Sequence, residues 1–102
     1  MRERDLVADI LTVLKKEGCV AVKIHRSPFQ RHVVDILGVR PVQCVDGKGT
    51  CFGVGLAIEV KRPGEKPTPL QKRFLDDWSF AGGRAGVAYS VEDALRIVRG
   101  EE

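Results

Sequence analysis

Gly55-Leu56-Ala57-Ile58-Glu59-Val60-Lys61-Arg62 is the stretch on which the reading of this chain turns. Its aliphatic residues, with turn formers on both sides, belong to a buried β-strand. Two charges interrupt it. Successive side chains of a strand point to opposite faces, so Glu59 and Lys61 share one face while Ile58, Val60 and Arg62 take the other. A carboxylate and an ammonium thus stand side by side where the strand ends. A strand that runs out to the surface and closes in a solvated ion pair gives the same pattern. Glu-x-Lys therefore gains meaning only if a second acid reaches the same face.

Upstream, Val33-Val34-Asp35-Ile36-Leu37-Gly38-Val39 reads as another strand interrupted by one acid. A buried carboxylate without a partner is costly, so Asp35 needs a cation. The turn formers Asp46-Gly47-Lys48-Gly49 reverse the chain, and a third strand runs back from about Cys51 to Arg62. Directly opposed residues of a hairpin share a face. For Asp35 to stand beside Glu59 or Lys61, the numbers of paired residues must add to an even total. A four-residue loop at Asp46–Gly49 gives an odd total and sets Asp35 against Val60, with the acids on opposite sides. Bringing the acids together requires an odd-length loop or a bulge, for which Gly38, Gly53 and Gly55 are the least strained positions.

The flanking segments supply the other elements. Leu6, Val7, Ile10, Leu11 and Leu14 recur at helical spacing, and Gly18 stops that first helix. Glu3 lies in its first turn, where it complements the positive helix end or points an acid toward the site. Cys19–Ile24 reads as the first strand, followed by a positively charged loop from His25 to Arg31. Downstream, Thr68-Pro69-Leu70-Gln71 announces a second helix: Thr68 as N-cap, Pro69 at the first position, Gln71 closing a capping box. That helix continues through Phe74, Leu75 and Trp78 to Gly82-Gly83. Arg84–Tyr89 is a fourth strand, and Ser90 with Asp93 caps a last helix over Val91–Arg99. Three strands form a meander, and the Gln71 helix is the crossover that a parallel fourth strand requires.

Composition bounds the rest. A chain of 102 residues, 43% hydrophobic, makes one domain over 1–102 with a small core. No apolar run approaches the roughly 18 to 20 residues that cross a membrane, and Arg2-Glu3-Arg4-Asp5 is not a signal peptide, so a soluble intracellular protein is expected. Cys19, Cys44 and Cys51 lack zinc-ligand spacing and read as reduced core or hairpin residues, although Cys44 and Cys51 could meet across the hairpin. The net charge is +3, and between positions 61 and 73 Lys61, Arg62, Lys66, Lys72 and Arg73 face Glu65 alone. With Arg26, Arg31 and Arg40 these cations form either a solvated charged surface or a patch that holds a phosphate backbone. On the second reading Arg26, Arg31, His32, Arg62, Lys66 and Lys72 are the expected contacts to that backbone.

Asp35, the Glu59-Val60-Lys61 run and Gln71 opening the next helix resemble the PD-(D/E)XK nuclease superfamily. Within it the chain is most similar to the small stand-alone VRR-NUC domains of phages. The likeness takes in Glu3, Val34-Asp35-Ile36, Ile58–Gly64, Gln71, and Gly83–Ser90 leading into Glu92-Asp93; Glu-Val-Lys-Arg-Pro-Gly followed by Gln is its most specific part. One departure is His32-Val33-Val34, where the family usually has a glycine and a proline before the aspartate. The resemblance implies an α/β fold: a PD-(D/E)XK restriction-endonuclease-like core, its central four-stranded mixed sheet flanked by helices in the order αβββαβα.

It also implies chemistry. Asp35, Glu59 and the backbone carbonyl of Val60 would hold Mg²⁺, with Mn²⁺ substituting. Lys61 would orient the attacking water or stabilise the transition state, Gln71 would contact water or phosphate, and Glu3 would reach the metal through water. The implied protein is a Mg²⁺-dependent, structure-selective deoxyribonuclease, a four-way (Holliday) junction resolvase acting as a homodimer, without a small-molecule cofactor or a membrane partner, in the cytoplasm of a bacterial or phage-infected cell. A flap or single-strand nuclease needing a partner and a silent nucleic-acid-binding module are the alternatives.

Overall fold

The computed structural model describes residues 2–25, 34–43 and 47–101, the side chains of Thr50 and Cys51 apart. The expected contacts Arg26, Arg31 and His32, and any pairing of Cys44 with Cys51, lie outside the described residues. The elements follow the order α1 (Glu3–Lys16), β1 (Val20–Lys23), β2 (Ile36–Gln43), β3 (Thr50–Val60), α2 (Pro69–Phe80), β4 (Arg84–Ala88) and α3 (Val91–Arg99). The sheet order is β1-β2-β3-β4. The first two pairings are antiparallel, and β4 joins β3 in parallel after the α2 crossover. This is the four-stranded mixed sheet with flanking helices that the sequence implies.

The sheet divides the core in two. Ile36, Leu56, Ile58 and Val60 pack with Leu6, Val7, Ile10 and Leu14 of α1 and Ala94 and Val98 of α3. On the other face, Val34 and Ala57 pack under Leu75 of α2, with Leu37, Phe74, Trp78 and Val87 at the margins. Even-numbered residues of β3 thus face α1 and α3, and odd-numbered ones face α2. Burying each large apolar side chain contributes about 1.5–3 kcal/mol, so the four of α1 hold that helix in place. Among the described residues no helix is long and apolar enough to cross a membrane.

Both later helices start as the sequence predicts. Thr68 Oγ1 accepts the Gln71 N–H at 3.1 Å and Gln71 Oε1 accepts the Thr68 N–H at 2.9 Å, a complete capping box. Ser90 Oγ accepts the Asp93 N–H at 3.1 Å, while the Asp93 carboxylate accepts the Tyr89 N–H at 2.9 Å. That second bond is the main cause holding the Asp93 carboxyl below its usual range.

The extent of β2 and its register with β3 differ from expectation. β2 begins at Ile36, after a bend at Asp35, and continues to Gln43 instead of ending at Val39. Arg40-Pro41 looks like a stop, but β1 pairs with β2 only as far as Val39, and Pro41 lies beyond it on a two-stranded ribbon with β3. A missing N–H costs little there. The second difference is the bulge. Pairs from Ile36↔Ile58 to Val42↔Phe52 all add to 94, and the register then shifts so that Gln43 opposes Thr50. The extra residue is Cys51, not Gly38, Gly53 or Gly55. Those glycines serve close approach: a Cβ on Gly38 would lie 2.5 Å from the Val20 carbonyl oxygen, and one on Gly55 would meet the Trp78 ring at 3.1 Å.

Candidate functional site

The even register decides which acid meets which. Carried one residue past Ile36↔Ile58, it sets Asp35 across from Glu59. Asp35 is buried at 6% exposure and Glu59 at 0%. The bend at Asp35 turns Val34 to the α2 face while Ile36 stays on the other, and the Asp35 Oδ2 accepts the Val60 N–H at 2.8 Å. Its own carbonyl accepts the Ile24 N–H at 2.7 Å, so β1 anchors the same residue. Lys61 Nζ lies 3.5 Å from Glu59 Oε2, with 15% of its side chain exposed. The ammonium therefore neighbours a wholly buried carboxylate and still touches solvent. The structure brings Asp35, Glu59 and Lys61 to one end of the β3 strand.

α2 supplies the next group. Gln71 is 1% exposed, on the face of α2 that covers Ala57, and so on the side of the sheet to which Glu59 points. Because its Oε1 takes the Thr68 N–H, the end left to act is the amide nitrogen, a hydrogen-bond donor rather than a metal ligand. Capping and site chemistry are thus compatible in one side chain. Glu3 stands apart. It lies half-buried on α1, which packs on the opposite face, and its charge is felt by Arg62.

No family model and no curated protein matches the chain in sequence. Its three-dimensional form does find a match. A solved structure described as a "VRR_NUC domain" matches at a TM-score of 0.66 and 20% identity, over 95% of this chain and 94% of that one. The chain has the VRR_NUC fold.

On this VRR_NUC fold, the oxygen donors that the strand end offers a cation are two carboxylates, Asp35 and Glu59, beside the Val60 peptide. Val60 can contribute only its carbonyl, since its N–H goes to Asp35 and its side chain to the core. Among the described residues no group of three or more His, Cys, Asp or Glu side chains converges. Hard oxygen donors in small number fit Mg²⁺, which keeps several waters and takes few protein carboxylates; they do not fit zinc, which prefers nitrogen and sulfur. The residues present fit the ion that the resemblance implies.

The basic run is less open than its composition suggests. Arg62 donates through Nε to Glu65 Oε1 at 3.0 Å, a bond that is the main cause raising the Arg62 pKa. Lys72 lies 3.3 Å from Asp76 and Arg73 3.9 Å from Asp77, both at helical spacing along α2. Asp76 and Asp77 fall just past the segment counted from the sequence, and their four-residue offset could have revealed the pairing. Lys66 is exposed. Sequence reasoning also passed over Tyr89 and Arg2. Tyr89 follows the last β4 residue, and its hydroxyl donates to the Glu65 carbonyl at 2.9 Å, closing the loop after β3.

Proposed function

We propose that the protein is a Mg²⁺-dependent, structure-selective DNA endonuclease, a four-way junction resolvase working as a homodimer. The observation that carries this reading is the buried Glu59 carboxylate, 3.5 Å from Lys61, with the buried Asp35 carboxylate bonded to the N–H of the next residue, Val60. A surface ion pair at a strand end has no use for full burial of its acid. When bound, Mg²⁺ would supply an acidified water and positive charge against the scissile phosphate. Asp35, Glu59 and the Val60 carbonyl would hold it. Lys61, partly exposed beside Glu59, would orient the attacking water or meet charge developing on the phosphate. Gln71 would donate its amide N–H to water or phosphate. A second copy enters because a four-way junction is cut on two strands, and a two-fold dimer presents two sites to them.

The test is cleavage of end-labelled four-way junction, flap, duplex and single-stranded DNA with Mg²⁺, Mn²⁺ or EDTA. Wild type is compared with Asp35→Asn and Lys61→Ala, and sedimentation gives the number of chains. Metal-dependent paired nicks in the junction, absent from both variants, are expected. Cutting confined to flaps or single strands would keep the nuclease and remove the resolvase. Salt-dependent binding that ignores metal, equal in all three proteins and without cutting, would leave a binding module.

A further inference from the structure

A groove of about 670 Å³ opens beside the strand ends, between the start of α1, the turn after β3 and the step from β4 into α3. Arg2 and Arg62 stand at it, Leu6, Pro63 and Val91 give it apolar walls, and Tyr89 borders it. Asp9 and Glu92 line it too. With two acids among two arginines, it is not built to hold a bare phosphate chain. Flat apolar walls and an aromatic ring suit a nucleobase, whose amino and carbonyl edges tolerate mixed charge.

Tyr89 is fixed for such a contact. Its hydroxyl is held by the Glu65 carbonyl and its N–H by Asp93, both at 2.9 Å, yet 37% of the residue remains exposed. A ring pinned in advance loses little freedom when a base stacks on it. Its place is also right. The Lys61 N–H donates to the Ala88 carbonyl at 3.0 Å, so Tyr89 begins one strand spacing, about 4.8 Å, from the lysine of the candidate site. A nucleic-acid strand crossing the sheet end beside Lys61 passes over Tyr89 next.

We infer that this groove takes the nucleobase next to the cut, stacked on Tyr89, with its flanking phosphates met by Arg2 and Arg62. This rests on the nuclease reading above. The rival role for Tyr89 is purely structural, pinning the loop through Glu65, and the two separate at the hydroxyl. Tyr89→Phe keeps the ring and drops the pin; Tyr89→Leu drops both.

The experiment measures kcat and KM for Tyr89→Phe and Tyr89→Leu on the DNA that wild type cuts best, and on the same DNA with an abasic nucleotide beside the cut. Tyr89→Leu should raise KM about tenfold with kcat little changed, and Tyr89→Phe, which keeps the ring but loses its pin, should raise KM by a smaller factor, about threefold. On the abasic DNA, wild type and Tyr89→Leu should become equal. A Phe variant as impaired as the Leu variant, or a Leu defect that persists on abasic DNA, would overturn the inference while leaving the nuclease standing. If wild type cuts no DNA, the nuclease reading fails and this one falls with it.

Discussion

Asp35 carries two tasks that mutation can separate. Its Oδ2 accepts the buried Val60 N–H, a charge-assisted bond that holds β3 at the site, and its carboxylate is one of the two proposed ligands. Alanine removes both, so loss of activity in Asp35→Ala would not distinguish a missing ligand from a loosened strand. Asparagine keeps an acceptor for Val60. We expect Asp35→Ala to lose about 1–3 kcal/mol in urea unfolding and Asp35→Asn to lose less than about 1 kcal/mol, while both are inactive. An Ala variant as stable as wild type would show that the bond does not hold the strand. The acids themselves were legible in the sequence because a charge in an apolar run is an anomaly on its face. The Val60 bond was not, because it depends on the bend at Asp35, which no periodicity announces. Gln71 shows a subtler limit. Local chemistry identified it as a cap and the family resemblance as a site residue; its 1% exposure, on the α2 face over Ala57, shows that one side chain can serve both.

At the level of elements, the helices were readable because caps are short and local, and β1 and β4 fell within a residue of expectation; β2 did not, running from Ile36 to Gln43 instead of Val33–Val39. Glycine is a poor guide to the bulge at Cys51, because Gly38 and Gly55 are consumed by the close approach of Val20 and Trp78. The Trp78 indole donates to the Gly55 carbonyl at 3.1 Å, and a Cβ on Gly83 would sit 2.3 Å from that nitrogen and 2.9 Å from the carbonyl oxygen. Gly83→Ala is therefore expected to destabilise by about 1–3 kcal/mol, seen as a melting temperature lower by several degrees. An unchanged Tm would mean the indole moves aside at no cost. α2 and the loop before it allow a second test. Lys72 already faces Asp76, whereas Lys66 has no ion pair among the described residues. Removing Lys66 should lower the slope of log affinity against log salt by about 1, and removing Lys72 by less. Equal slopes would place neither lysine, or both, on the phosphate backbone.

Across the whole molecule, Glu17 at the end of α1 ties three elements together. It accepts from Arg40 of β2 at 3.0 Å and from Arg99 of α3 at 3.2 Å. Arg99 first and Arg40 next lower its pKa from 4.5 to about 2. A carboxyl depressed in the folded state stabilises fully above its ordinary pKa and loses that contribution as pH falls through the folded value. Melting curves of wild type and Glu17→Gln should therefore differ above about pH 4.5 and converge toward about pH 2. Parallel curves across that window would show the tie to be without weight. No sequence pattern joins residues 17, 40 and 99, because their meeting depends on the completed packing of α1 and α3 on one face of the sheet. The parallel β4, by contrast, followed from needing a crossover helix. The ribbon that β2 and β3 form beyond β1 makes the molecule long, 43 Å against 28 and 26 Å across. Glu59 and Phe52 are seven steps apart on β3, roughly 23 Å at strand rise, so the exposed Gly47–Gly49 turn lies far from the carboxylates. A dye or surface tether attached there would let one watch single molecules at work while leaving the chemistry at the other end untouched.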